Sequence, residues 1–257
     1  MRREGNPFTL EGKNIMVTGG SSGLGRACAI EASKQGARVF VLGRDGERLQ
    51  ETLSLMANPD LHSLHCVEFT DVSAINELFS EFRRDRQKFN GLVHCAGIST
   101  TLPLKMVSEE KLNNFFATNV NSSIFLSQQL SKKCFLEESG SSLVLMASIM
   151  GVVGEMGKSL YSATKGALVS AAKSMAVELA ARKVRVNTVS PGVVKSPMTN
   201  TAFYSRDEEA YKKIAAKHPL GIGAPEDIAN TCVFLLSDAS RWITGTNVIV
   251  DGGYTAK

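Results

Sequence analysis

The stretch NIMVTGGSSGLGRACAIEASKQGARVFVLGR, residues 14 to 44, decides how the rest of the chain reads. An apolar, β-branched run ends in a glycine-rich turn, a segment with helical spacing follows, and a second apolar run closes at Leu42, Gly43 and Arg44. Strand, turn, helix and strand in this order make the βαβ unit of a parallel sheet. The turn TGGSSGLG (Thr18, Gly19, Gly20, Ser21, Ser22, Gly23, Leu24, Gly25) stands directly between the first strand and the first helix. Missing side chains at Gly19, Gly23 and Gly25 let the backbone turn tightly and approach a pyrophosphate, which the free N–H groups and dipole of the helix N-terminus then stabilise.

Working outward, the same alternation runs almost from end to end. Further apolar runs lie at 64 to 69 (LHCVEF), 91 to 97 (GLVHCAG), 141 to 148 (SSLVLMAS), 184 to 192 (VRVNTVSPG) and 246 to 253 (TNVIVDGG). Between them, apolar residues recur at helical spacing, as in Leu78, Phe79 and Phe82, or Ala167, Leu168, Ala171, Ala172 and Met175. The expected fold class is α/β: a single-domain, Rossmann-type, doubly wound parallel sheet of about seven strands with helices on both faces. No linker or low-complexity tract divides residues 1–257, which read as one domain with an N-terminal extension over 1–11. The least patterned region, 193–219, precedes a helix opened by APED at 224 to 227 and is the expected substrate lid.

The net charge of +4 is dispersed, which argues against a nucleic-acid footprint and leaves an anionic small molecule as a reasonable partner. Five scattered cysteines, Cys28, Cys66, Cys95, Cys134 and Cys232, suit buried thiols in a reducing cytoplasm better than a disulfide framework. His62, His65 and Cys66 cluster, but no second ligand pair completes a zinc site, so no metal is expected. The N-terminal MRREGNPFTLEG lacks the apolar run of a signal peptide, and no stretch is apolar enough to span a membrane. A cytoplasmic location is expected.

At the end of the second strand an NAD-selective site would offer a carboxylate to the ribose hydroxyls. Gly43 leaves room there and Arg44 supplies a fixed positive charge, a combination suited to the 2′-phosphate of NADP. NADP(H) is therefore the preferred cofactor, with NAD(H) as the second option. Arg44 can also be read as a solvated arginine beside Asp45.

Tyr161 and Lys165 project from one face of a segment that reads as helix. An ammonium near a phenol favours the phenolate, so the expected effect is a tyrosine pKa lowered from ~10. Tyr161 could then exchange a proton with a substrate oxygen, while Ser148, at the end of a strand, donates a second hydrogen bond to it.

With TGGSSGLG at 18 to 25, TDV at 70 to 72, AG at 96 to 97, TNV at 118 to 120, Ser148, YSATK at 161 to 165 and SPG at 190 to 192, the chain resembles the short-chain dehydrogenase/reductase family from Gly12 to about Tyr254. Its tail, from APED at 224 to DGG at 253, is similar to the 3-oxoacyl-[acyl-carrier-protein] reductase branch. The resemblance implies a catalytic tetrad of Asn119, Ser148, Tyr161 and Lys165. It makes Tyr161 the acid/base, Ser148 the group that polarises the carbonyl, Lys165 the ligand of the nicotinamide ribose, and Asn119 the holder of a water in a proton relay. It further implies that Asp71 and Val72 contact adenine, that Ala96 and Gly97 line the cleft, and that Val193 and Ser196, after Pro191 and Gly192, meet the nicotinamide carboxamide.

Some positions depart from the family pattern. The usual NNAG is HCAG here, so His94 and Cys95 stand for two asparagines; His94 either supports the central sheet or is a satisfied core histidine. Ser196 replaces an expected threonine, and Pro197 follows it. The resemblance implies a homotetramer built through helices at about 108 to 134 and 159 to 182, whose Ala163, Ala167, Ala171 and Ala172 permit close packing.

The implied function is NADP(H)-dependent hydride transfer between nicotinamide and a carbonyl or secondary alcohol, first as a 3-oxoacyl-[acyl-carrier-protein] reductase with a place in fatty acid synthesis. A sugar, polyol or small-ketone dehydrogenase is the alternative within the family, and a cofactor-binding regulator without turnover is the alternative outside it. Substrate choice is expected in 193–219 and around Lys158, Leu160 and Thr100 to Lys105. Acyl carrier protein would call for Lys and Arg at the cleft mouth, for which Lys132, Lys133, Arg182 and Lys183 are candidates.

Overall fold

In the computed structural model, which describes residues 5–196 and 207–256, the apolar runs form seven parallel strands of one sheet. They are β1 (Asn14–Thr18), β2 (Arg38–Gly43), β3 (Ser63–Cys66), β4 (Gly91–His94), β5 (Ser141–Met146), β6 (Val184–Pro191) and β7 (Asn247–Val250), in the order β3-β2-β1-β4-β5-β6-β7. The chain winds outward from β1 to β3, then crosses back over β1 to β4 and continues to β7. The order thus reverses between β1 and β4, and the crevice outside the carboxyl ends of these strands is where such sheets take a ligand.

The helices are α1 (Gly23–Lys34), α2 (Gly46–Ser54), α3 (Val72–Arg84), α4 (Glu109–Phe116), α5 (Ser122–Leu130), α6 (Ser159–Leu179), α7 (Glu208–Ala215) and α8 (Pro225–Leu236). Successive β1 side chains point to opposite faces. Ile15 and Val17 pack with Ala29 and Ala32 of α1 and Ile228 and Leu235 of α8, whereas Met16 packs with Leu78 of α3, Leu126 of α5 and Ala172 of α6. This two-sided cover explains why β1, β2 and β4 read as continuous apolar runs rather than alternating ones.

The third strand stops at Cys66, short of the run that reads to Phe69. The reason lies in the next turn, where the Thr70 N–H donates to Glu68 (3.1 Å) and Asp71 caps α3, accepting from the N–H groups of Ser73 and Ala74. Residues before Gly12 lie against the body: Leu10 is fully buried, and the Ala239 N–H donates to the Pro7 carbonyl at 2.9 Å.

Of the expected lid over 193–219, residues 197–206, Pro197 among them, lie outside the described residues. Val194 pairs with Gly223, and α7 occupies Glu208–Ala215. His62 is satisfied by Val39 N–H and the Ala57 carbonyl, and among the described residues no group of three His, Cys, Asp or Glu could hold a metal. Cys28 and Cys232 are buried as expected, but Cys66 and Cys134 are exposed. No described helix is long and apolar enough to cross a membrane.

Candidate active site

The glycine turn fits a dinucleotide because backbone packs on backbone. Gly19 has a left-handed φ of +67°, and a Cβ there would stand 2.9 Å from the Ala96 nitrogen; one at Gly25 would collide with the Gly19 carbonyl. Ser22 precedes α1 in an extended conformation and its side chain caps none of the helix N–H groups, so Ser21, Ser22, Gly23 and Leu24 present backbone donors at a positive helix end. Beneath the turn, Arg26 donates to the Ser21 carbonyl (2.9 Å), to both carboxylate oxygens of Glu51 (3.0 and 2.7 Å) and to Thr52 Oγ1 (3.0 Å). Arg26 ties the turn to α2, a role the sequence hides because an arginine on a first helical turn has no distinguishing pattern.

At Gly43 a Cβ would lie 3.3 Å from Leu49 Cδ2 and 3.7 Å from the Cβ of Ser21. Arg44 is 73% exposed and its Nη1 lies 3.3 Å from Glu68 Oε2. Asp71 spends one carboxylate oxygen on the α3 cap, while Val72 beside it is exposed.

Across the cleft, Gly97 packs closely on the site, where a Cβ would stand 3.1 Å from Asn119 Oδ1 and 3.5 Å from Lys165 Nζ. Pro191 closes β6, and a Cβ on Gly192 would lie 2.8 Å from the Asp251 Cα. The Val193 N–H donates to His218 Nε2 (3.1 Å), a residue unmarked in the sequence; its Nδ1 donates to the Ile214 carbonyl at 2.9 Å. Ser196 is the last described residue before residue 207.

Ser148, Tyr161, Lys165 and Asn119 converge at the carboxyl ends of β4 and β5. Ser148 begins a short 3₁₀ turn, Ile149–Gly151, and accepts the Met150 N–H at 3.2 Å. Lys165, buried, donates to the Met146 carbonyl (2.8 Å), and its Nζ lies 5.7 Å from the centre of the Tyr161 ring. Burial lowers the Lys165 pKa to about 8. Burial also raises the Tyr161 pKa, against which a hydrogen bond with Ser148 pulls downward. This corrects the expected direction: desolvation of the phenolate dominates, and the partner that offsets it is the serine.

Asn119 lies in a π-helical turn, Ala117–Asn121, between α4 and α5. Such turns bulge a helix and re-aim its side chains. Its Oδ1 accepts the Ile98 N–H (2.8 Å), and its Nδ2 donates to the Ile98 carbonyl and Thr164 Oγ1 (both 3.0 Å). Thr164 sits next to Lys165, so Asn119 joins the chain after β4 to α6.

His94 resolves the HCAG departure. The Ala96 N–H donates to Thr18 Oγ1 (3.2 Å), which lies 2.8 Å from His94 Nδ1; His94 Nε2 lies 3.1 Å from Ser122 Oγ, which donates to the Thr118 carbonyl. Ser122 has given its proton to a carbonyl and must accept from Nε2–H, leaving Nδ1 to accept from Thr18. Burial lowers the His94 pKa to about 3, so the ring is neutral. It supports the central sheet by linking β1 and β4 to the start of α5.

A family model described as enoyl-(acyl carrier protein) reductase matches residues 19–255. A tropinone reductase homolog of Arabidopsis thaliana is 34% identical over 263 residues, covering 98% of this chain and 93% of its own length. The 3-oxoacyl-[acyl-carrier-protein] reductase FabG of Chlamydia pneumoniae is 32% identical over 250 residues, covering 96% and 99%. This chain belongs to the short-chain dehydrogenase/reductase family. Among solved structures, one assigned as a 2-deoxy-D-gluconate 3-dehydrogenase of Agrobacterium tumefaciens with bound NADP matches with a TM-score of 0.88 at 30% identity, covering 98% of this chain and 100% of that one. The chain is thus an oxidoreductase of CH–OH/C=O type in a family that binds a nicotinamide cofactor.

In this short-chain dehydrogenase/reductase the segments around the start of α6 interlock. The Leu102 N–H donates to the Gly157 carbonyl (2.7 Å), Lys158 Nζ to the Thr100 carbonyl (3.1 Å), and Lys217 pairs with Glu155 (3.4 Å). Leu160 is buried, and burial lowers the Lys158 pKa. Leu104, Met106, Val152, Met156 and Leu220 on these segments are exposed.

The basic residues expected at the cleft mouth are elsewhere. Helices of a parallel sheet run back against the strands, so α5 and α6 end at the edge where β5 and β6 begin. Arg182 accordingly donates to the Ser131 carbonyl (2.9 Å), and the Ser141 N–H donates to the Lys183 carbonyl (3.2 Å). Lys132, Lys133, Arg182 and Lys183 therefore stand at the edge of the sheet opposite the cleft, and cannot receive an acidic partner there.

Proposed function

We propose that this chain is an NADP(H)-dependent reductase of an apolar carbonyl compound, a 3-oxoacyl thioester in the first instance. The observation that carries this reading is the convergence of Ser148, Tyr161 and Lys165 beside Gly97 at the end of the glycine cradle. NADPH held in this cradle would supply the hydride. Tyr161 donates the proton to the carbonyl oxygen, and the Ser148 hydroxyl holds that oxygen in place. Lys165, charged below about pH 8, binds the nicotinamide ribose, while the Ser148 hydroxyl is the group that offsets the burial of the phenol. Asn119, anchored through Ile98 and Thr164, keeps the lysine side of the site in register for proton return. Gly19 to Gly25 would take the pyrophosphate, Asp71 and Val72 would contact the adenine, Ala96 and Gly97 would line the cofactor cleft, and Pro191, Gly192, Val193 and Ser196 would border the carboxamide. Arg44 selects NADP(H) by exchanging Glu68 for the 2′-phosphate.

The exposed apolar rim of Leu104, Met106, Val152, Met156 and Leu220 favours an acyl chain or hydrophobic ketone over a polyol. A free small ketone is the second reading, favoured by the position of Lys132, Lys133, Arg182 and Lys183 at the edge of the sheet opposite the cleft. The deciding experiment follows loss of NADPH absorbance with acetoacetyl thioesters, acyl-carrier-protein thioesters, small diketones and keto sugars. Reduction of thioesters supports the first reading; reduction of diketones alone moves the assignment to the second, and inactivity on all four overturns both. Assembly as a homotetramer is part of the proposal, supported by exposed Leu112 on α4, Ile124 and Phe125 on α5, and Val177 and Ala163 on α6. Ala172 is buried inside the subunit instead.

A further inference from the structure

A cavity of about 480 Å³ opens where β1, β4, β5 and β6 begin, lined by Lys13, Lys183, Arg185, Arg241, Asp238 and Trp242 among others. Because the strands are parallel, it lies at the opposite end of β5 from Ser148, roughly 20 Å away along the chain direction, and shares no lining residue with the proposed site of hydride transfer. Its volume is that of a site for a small organic molecule.

Its charge is unbalanced. Among the described residues four cations line it with one carboxylate, Asp238, which Lys13 holds at 2.6 Å. Arg185 is fixed by donating to the carbonyls of Leu235 (2.7 Å), Ser237 (3.3 Å) and Ile243 (3.3 Å). Lys183 and Arg241 are exposed at the rim, and among the described residues neither is paired with a carboxylate. A concave site with low-dielectric walls and surplus positive charge concentrates anions. Trp242, which shares this lining, is 96% exposed, an apolar plane left in water.

We propose that this cavity binds a small organic anion, a carboxylate or phosphate carried on a planar ring. Lys183 and Arg241 hold the anionic group, Arg185 supplies a fixed charge behind it, and Trp242 stacks on the ring. The proposal does not depend on the substrate or on the residues of the hydride-transfer site.

Trp242 is the one tryptophan of the chain, so intrinsic fluorescence reports this cavity directly. The experiment titrates full-length protein, saturated with NADP+ to block the cofactor cleft, with phenyl phosphate and with benzoate. Cyclohexanecarboxylate and benzyl alcohol serve as controls. The expected result is saturable quenching by one or both aromatic anions and none by benzyl alcohol. The expected loss of affinity is about tenfold or more in Lys183→Ala and in Arg241→Ala, as for removal of a charge-assisted hydrogen bond. A response to phenyl phosphate alone identifies a phosphate site, and one to benzoate alone a carboxylate site. The proposal is overturned if neither anion saturates, or if the double variant Lys183→Ala/Arg241→Ala binds as the parent does. It is equally overturned if Trp242 is shielded from acrylamide and Trp242→Ala lowers the sedimenting mass, which would assign this face to a second copy of the chain.

Discussion

The Thr18 hydroxyl and His94 Nδ1 lie 2.8 Å apart in the buried centre of the sheet, with the Ala96 N–H on the other side of the same hydroxyl. This contact positions the chain after β4, where it passes the glycine turn, through a neutral imidazole that accepts from β1 and donates to Ser122. Replacement by His94→Leu leaves the Thr18 O–H without its acceptor, at a cost of about 1–3 kcal/mol, and removes the N–H that Ser122 accepts. The expected outcome is a lower melting temperature in calorimetry, with partial recovery in His94→Asn.

The same histidine sets an acid limit. Its folded pKa of about 3 lies below the ordinary value of 6.5, so the unfolded chain binds the proton first as pH falls. The stability it confers is complete above about pH 6.5 and is lost progressively as pH drops toward 3. Unfolding free energy against pH should therefore show about one proton more of acid dependence in the parent than in His94→Asn. Identical slopes would contradict the assignment of a neutral, buried ring.

Tyr161→Phe removes the proposed proton donor while leaving the ring in place. Turnover should fall by about 10²–10⁴-fold, with NADPH affinity within about twofold of the parent by isothermal titration. Retained turnover would reject Tyr161 as the acid.

Lys165, with a pKa of about 8, ties cofactor affinity to pH. Below this value the ammonium is present and attracts the cofactor; above it the charge is lost. NADP(H) dissociation constants should rise as pH climbs past 8, and Lys165→Met should remove that break.

At the adenosine end, the exposed Arg44–Glu68 pair is of the kind that contributes little to stability. Arg44→Ala should weaken NADPH by about tenfold or more and leave NADH nearly unchanged. Glu68→Gln should act oppositely on NADPH by releasing the guanidinium. Parallel loss of both cofactors in Arg44→Ala would indicate general damage to the site.

What the sequence determined by itself was local in origin. The glycine spacing at 18 to 25, the apolar runs and the helical periodicity specify strand, turn and helix through backbone sterics and burial, and these follow from neighbours along the chain. Tyr161 and Lys165 share a face for the same reason, being one helical turn apart. Tertiary structure decided everything that depends on which distant segments meet. Burial from all sides sets the direction of the Tyr161 shift against the effect expected from Lys165 alone. The π-helical turn aims Asn119 at Ile98 and Thr164, and His94 finds partners 76 and 28 residues away. Parallel topology sends the ends of α5 and α6 to the far edge of the sheet, placing Lys132, Lys133, Arg182 and Lys183 away from the cleft, although nothing in their spacing says so. Desolvation and long-range hydrogen bonding are properties of three-dimensional packing, and a linear pattern records them only after the chain has folded.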